Sequence, residues 1–177
     1  MITVTRISAG EAIGSLIAIV FGLVFVFVNS GGLAAPWPLV VRIAGAVVAA
    51  VLLVLLLRRG KPEGGAGTTF FDRNRFWVIV AAEVVALFAG LYVINGVLGH
   101  GEVGVAWIAV VVGVHFVAMG WAFRLGRFRT LGWTQTALGV AGFALRASGA
   151  GAAVIGLVSG VLSGVALFAA ALYTLRR

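Results

Sequence analysis

Cysteine is absent from this chain, which excludes disulfides and cysteine-ligated metal sites or clusters. Charge is scarce: 10% of the 177 residues are charged, where a soluble domain carries about 25%. Histidine occurs twice, at His100 and His115, too few for a secure zinc site. There is no Ser/His/Asp arrangement in a recognisable context, no His-Glu-x-x-His and no phosphate loop, so the common hydrolytic and nucleotide-binding signatures are missing. Long stretches alternating apolar and polar residues are also missing, which excludes a transmembrane barrel. No soluble segment is long enough for a second core, so residues 1–177 read as one domain.

What is present is apolar: 62% of the residues are hydrophobic and the mean hydropathy is +1.17. Such a chain cannot cover its surface with polar groups in water. In lipid the backbone must satisfy its own hydrogen bonds, and with continuous apolar runs the solution is helix. The expected fold is all-α, a polytopic transmembrane bundle whose first partner is the bilayer. The net charge of +8 belongs to arginines flanking the spans, not to a nucleic-acid site.

A helical span needs about 17–25 mostly apolar residues. That rule places six, at 12–28, 38–57, 76–97, 103–123, 130–145 and 150–175, with the fifth the shortest. Pro36 and Pro38 sit where the first turn of span two tolerates them. Arg6, Arg58, Arg59, Lys61, Arg73, Arg75, Arg124, Arg127, Arg129, Arg176 and Arg177 then share one side, leaving Arg42 and Arg146 on the other. The positive-inside rule puts that basic side, with both termini, in the cytoplasm. Trp37 and Trp107 near the outer ends, and Trp77, Trp121 and Trp133 near the inner ends, read as aromatic belts. Arg42 and Arg146 read as outer side chains reaching toward headgroups. Gly32-Leu33-Ala34 is similar to a signal cleavage site, but Arg6 alone is a thin positive region, so span one is expected to be retained. The long loop after Arg58 is glycine-rich and reads as flexible, with Asp72 capping span three and Phe70 and Phe71 at the interface. Val85-Ala86-Leu87-Phe88-Ala89 recurs as Val165-Ala166-Leu167-Phe168-Ala169, a match that a chain rich in these four residues produces by chance.

Two constellations stand out. Small residues form rows at Gly156, Gly160 and Gly164 on span six and at Gly10, Gly14, Ala18 and Gly22 on span one. Such rows let helix backbones approach closely, either within the bundle or in a homodimer. The second is Glu83 with His115. Each lies about 12–14 Å from the inner basic loops, on consecutive spans, so the two meet near the bilayer middle. Glu83 shares a face with Ala86 and Gly90, and His115 with Ala118 and Ala122. Three readings stay open for the pair: a bond fixing helix register, a proton or ligand site of a transporter, and a catalytic site. Gln135, Thr134, Ser159 and Ser163 are candidates to line the same cavity, and Asn95, His100 and Glu102 cluster at the outer loop. Glu11, near the inner interface, is expected to pair with Arg6 or a loop arginine.

Gly113-Val114-His115-Phe116 resembles a pattern found in small bacterial multi-helix membrane proteins of no characterised activity. The resemblance covers mainly spans three and four and implies six helices in a bacterial inner membrane. The resemblance brings no activity; the polar site around Glu83 and His115 makes the leading expectation a small transporter or ligand-binding membrane protein, acting on a small-molecule or lipid ligand without metal or cofactor. The alternatives are an accessory subunit associating through the span-six glycines and an intramembrane enzyme acting on a lipid-like substrate.

Overall fold

In the computed structural model, residues 9–59 and 73–176 are described. Among these, 88% is helix and there is no strand. The helices are α1 (Ala9–Asn29), α2 (Trp37–Arg58), α3 (Arg73–Tyr92), α4 (Gly104–Ala122), α5 (Gly126–Ala147) and α6 (Ala152–Arg176). A π turn, Val93–Val97, extends α3, and a 3-10 turn, Gly101–Val103, leads into α4. Residues Gly156–Val161 of α6 are π-helical. The expectations for Arg6, Lys61, Phe70, Phe71, Asp72, Arg177 and the glycine-rich loop fall outside the described residues.

Five of the helices, all but α5, are long and apolar enough to cross a membrane. The fifth segment differs from its sequence reading. It was expected at 130–145, yet the helix starts at Gly126 and runs 22 residues, taking Arg127 and Arg129 into its first turn. Length no longer makes it the weakest span; composition does, because Gln135 and three threonines interrupt its apolar run. The loops are short because glycines reverse the chain at Gly99 (φ +68°) and Gly149 (φ +85°), backbone that a Cβ disfavours. Arg124 adopts φ 56° without being glycine, in the tight turn between α4 and α5.

The apolar surface faces outward. Val28, Leu57 and Val85 are 71%, 71% and 68% exposed, an arrangement suited to lipid and not to water. Four helices form the centre, α1 against α6 and α4 against α5, with α5 and α6 joining the two pairs. Ala18, Ile19, Phe25 and Val26 of α1 pack on Leu167, Phe168, Ala171 and Leu175 of α6, and α2 adds Ala49 and Leu52. At the far end Ile94, Val103, Ala106 and Ile155 make a smaller cluster. By contrast α3 leans mainly on α4, and none of its residues Arg73–Tyr92 is buried. The paired Val-Ala-Leu-Phe-Ala segments have different environments: Phe88 is 66% exposed and Phe168 is 5% exposed, so the match marks no structural repeat.

Glycine sets how closely these helices approach. A Cβ on Gly139 would stand 2.6 Å from the Ala106 carbonyl oxygen and 2.7 Å from the Val110 nitrogen. One on Gly132 would stand 2.6 Å from the Gly113 oxygen and the Val117 nitrogen. Both are backbone atoms that cannot step aside. On the other pair, a Cβ on Gly164 would stand 2.6 Å from the Gly22 oxygen. Gly10 and Gly14 have nothing within 4 Å of the corresponding position. We therefore expect Gly139→Ala to cost about 1–3 kcal/mol through overpacking. Gly14→Ala should be neutral or stabilising by up to about 1 kcal/mol through helix propensity. Thermal unfolding of the purified variants, followed by circular dichroism, separates the two outcomes.

Candidate functional site

The stripe Glu83, Ala86, Gly90 of α3 faces α4, at the spacing that puts residues on one side of a helix. Against it stand Trp107 and His115, eight positions apart on α4 and so a little over two turns. The Trp107 indole N–H donates to the Ala86 carbonyl at 3.1 Å. Its ring lies where a Gly90 side chain would be, so Gly90 is the notch that admits it. Trp107 was expected in the outer aromatic belt. It also anchors α4 to α3, the half-buried indole finding its acceptor in a carbonyl of that helix.

Two turns further along this contact, Glu83 Oε2 lies 3.0 Å from His115 Nδ1. The carboxylate approaches off the ring N–H direction, so the pair stands at ion-pair distance without an in-line hydrogen bond. The side chains are 13% exposed for His115 and 23% for Glu83. Phe116 packs edge-on to the His115 ring at 5.5 Å and meets Phe128 of α5 at 5.7 Å, bracing this part of α4 from the bundle side.

The remaining candidates go elsewhere. Gln135 is fully buried between α5 and α6, where its Nε2 donates to the Ser163 carbonyl at 3.2 Å. Ser159 donates to the Leu138 carbonyl at 2.8 Å. Both contacts belong to the α5–α6 interface, and the Glu83–His115 pair belongs to α3–α4. Thr134 is exposed and donates back to the Thr130 carbonyl of its own helix at 3.0 Å. Gln135 Oε1, Ser163 Oγ, Thr136 Oγ1 and Ser15 Oγ are buried without a protein partner. Among the described residues no three His, Asp or Glu side chains converge as a metal site.

The glycine row of α6 lies against the second half of α1 within one chain, whereas Gly10 and Gly14 of the α1 row face open space. A Cβ on Gly22 would reach the Phe168 ring at 2.8 Å, and one on Gly156 the Asn29 carbonyl at 3.0 Å. One on Gly160 would collide with the Asn29 side chain. The row of α6 is thus covered by α1. Asn29 lies one residue past the expected end of span one. It fills the Gly160 notch and donates to the Phe25 carbonyl at 2.8 Å.

Charges at the two ends tie loops and helices together. Glu11 pairs with Arg127 at 3.2 Å, a loop-side arginine of the kind expected. Arg146 donates to Glu102 at 2.6 Å, and His100 lies 3.3 Å from the same oxygen. Arg42 donates to the Phe27 carbonyl at 3.2 Å and to the buried Ser30 hydroxyl at 3.1 Å. Arg59 likewise donates to the Leu175 carbonyl. Arg42 and Arg146 were expected to reach for headgroups. The first instead donates to the Phe27 carbonyl left open at the end of α1, and the second pairs with the Glu102 carboxylate. Opposite signs on segments that the span reading places at the same end of the bundle were the available signal for that second pairing.

Because α4 holds α3 almost alone, the Gly90–Trp107 contact should control the whole α3 attachment. Gly90→Leu is expected to raise amide exchange along α3 while leaving α5 and α6 protected, measured by hydrogen–deuterium exchange mass spectrometry. Trp107→Phe, which removes the bond to Ala86 and part of the ring filling the Gly90 notch, should cost about 1–3 kcal/mol. Comparison of the chain with protein-family models, with curated proteins and with solved structures gives no match in any of the three.

Proposed function

We propose that this chain is a six-span protein of a bacterial inner membrane, with both termini cytoplasmic, and that Glu83 and His115 form the proton-handling or ligand-binding site of a small transporter. The reading of α5 as a span is supported by its 22 residues, a length of about 33 Å. Its amide, Gln135, is buried against a neighbouring helix, and the exposed Thr134 hydroxyl is turned onto the Thr130 carbonyl of its own helix. Cytoplasmic termini are favoured by the one-sided distribution of arginine.

The observation behind the site is the 3.0 Å approach of a carboxylate and an imidazole in the middle part of two apolar helices. An ionisable residue at a span's centre costs roughly 2.5–3.5 kcal/mol on insertion. A purely apolar contact between small residues would hold α3 as well without that cost. The two groups can share one proton, Glu-COOH with neutral imidazole or carboxylate with imidazolium, and the net charge of the pair is zero in both forms. Gaining or losing one further proton changes that charge, which is the elementary step a proton-coupled carrier requires. The glycine row of α6 gives the accessory-subunit reading less support, because α1 already covers it.

The test is proton movement in liposomes reconstituted with the full chain and loaded with a pH-sensitive dye. An imposed pH gradient should dissipate faster than in empty liposomes, and Glu83→Gln and His115→Gln should each remove the difference. Unchanged dissipation accompanied by a lowered melting temperature would sink the functional role and leave the pair a fixer of register.

A further inference from the structure

We infer that the Glu83–His115 site is reached sideways from the lipid, and that it takes a lipid-soluble ligand carrying a hydrogen-bonding polar group. This deepens the proposed function and rests on its reading of α3 and α4 as membrane spans.

The inference starts from where the pair lies in the bundle. Polar groups at the α5–α6 interface are sealed: Gln135, Ser159 and Ser163 are each 0% exposed. Glu83 is not, with 23% of its side chain exposed, while the His115 ring is 13% exposed with its Nδ1 buried against Glu83. The difference follows from the packing. Residues of α5 and α6 have neighbours on several sides, whereas α3 presents one stripe to α4 and has no buried residue between Arg73 and Tyr92. A seam between two helices is open along both flanks. Beside the Glu83 stripe those flanks are apolar: Ala82 and Ala89 on one side are exposed and Val80 and Leu87 on the other are half-buried.

The depth of the opening matters as well. Eight residues, about 12 Å of helix, separate Glu83 from Arg75 at the basic end of α3. The opening therefore faces hydrocarbon, not headgroups, if α3 spans the bilayer. At the other end Trp107, seated in the Gly90 notch with its N–H on the Ala86 carbonyl, closes the seam. The outer ion cluster of His100, Glu102 and Arg146 lies beyond it. The seam is thus plugged on that side and open toward the flanks. A water-soluble solute has no route by this path, and a membrane-dissolved molecule reaches the pair without crossing a headgroup layer. Carboxylate and imidazole together offer acceptor and donor positions, which suits a hydroxyl, amine or carboxylic acid on an otherwise apolar ligand.

A lipid-soluble carbodiimide reports this access directly. The carboxylic acid adds across its N=C=N group: the oxygen bonds to the central carbon and the acid proton moves to nitrogen. The acyl group then migrates to nitrogen in dry surroundings and gives a stable N-acylurea, with no leaving group. The wild-type chain in lipid vesicles is treated with dicyclohexylcarbodiimide or with a cationic water-soluble carbodiimide, across acidic to neutral pH. Peptide mass mapping locates the adduct, with Glu102 in the outer turn as the water-side reference. The expected result is one dicyclohexylcarbodiimide mass on the Glu83 peptide, lost in Glu83→Gln, and no Glu83 adduct from the water-soluble reagent. An adduct at Glu83 from the water-soluble reagent, or none from the lipid-soluble reagent at any pH, overturns lateral access. Glu83-dependent proton flux without lipid-side labelling would overturn this inference and leave the proposed function standing. Labelling without flux would leave lateral access and remove the proton role.

Discussion

Lipid tails are as apolar as leucine, so nothing in a bilayer drives one apolar helix against another by excluding solvent. Close backbone approach has to supply the attraction, and in this chain glycine makes it possible. Where Gly132 and Gly139 meet the backbone of α4, a single methyl group would overlap main-chain atoms. The α1–α6 contact follows the same rule at Gly22 and Gly164, with Asn29 set into the notch at Gly160. These two glycine contacts define the centre of the bundle. The positions of α2 and α3 follow as outer helices, one resting on α1 and α6 and the other on α4.

Polar groups divide according to that architecture. Inside the centre, Gln135 and Ser159 spend their donors on helix carbonyls of a neighbouring element. Such bonds orient helices and keep the polar groups out of lipid. At the edge, where α3 meets α4, the ionisable pair sits in a shallow contact beside an indole that occupies a glycine notch. The chemistry with a choice of protonation states therefore lies in the least buried interface. That is where a group can exchange protons or meet a ligand without opening the core.

The arginines show how strongly backbone satisfaction governs a membrane chain. Arg42 and Arg59 both turn onto carbonyls at or near helix C-termini. Carbonyls in the last turn have no partner within the helix, and their partial negative charge favours a guanidinium. Arginines that flank the apolar helices thus also close helix ends. Glu102 and Arg146 perform a related task by joining the turn before α4 to the end of α5.

Much of this was legible from residue order, for reasons that differ by feature. Long apolar runs between arginine clusters dictate helices and their approximate limits, because backbone satisfaction in lipid is a local requirement. The meeting of Glu83 with His115 was also legible, since consecutive antiparallel helices and a rise of about 1.5 Å per residue determine relative depth. Tertiary structure alone decided which interface each polar residue entered. Gln135 and Ser163 have depths compatible with a shared cavity, yet they turn to α5–α6 because helix rotation is set by where glycines permit contact. It likewise decided that Trp107 anchors α4 to α3, and that the glycine row of α6 is covered by α1. Depth along a helix is written in sequence spacing; direction around it depends on which neighbour packs there, and that is settled only when all the helices assemble.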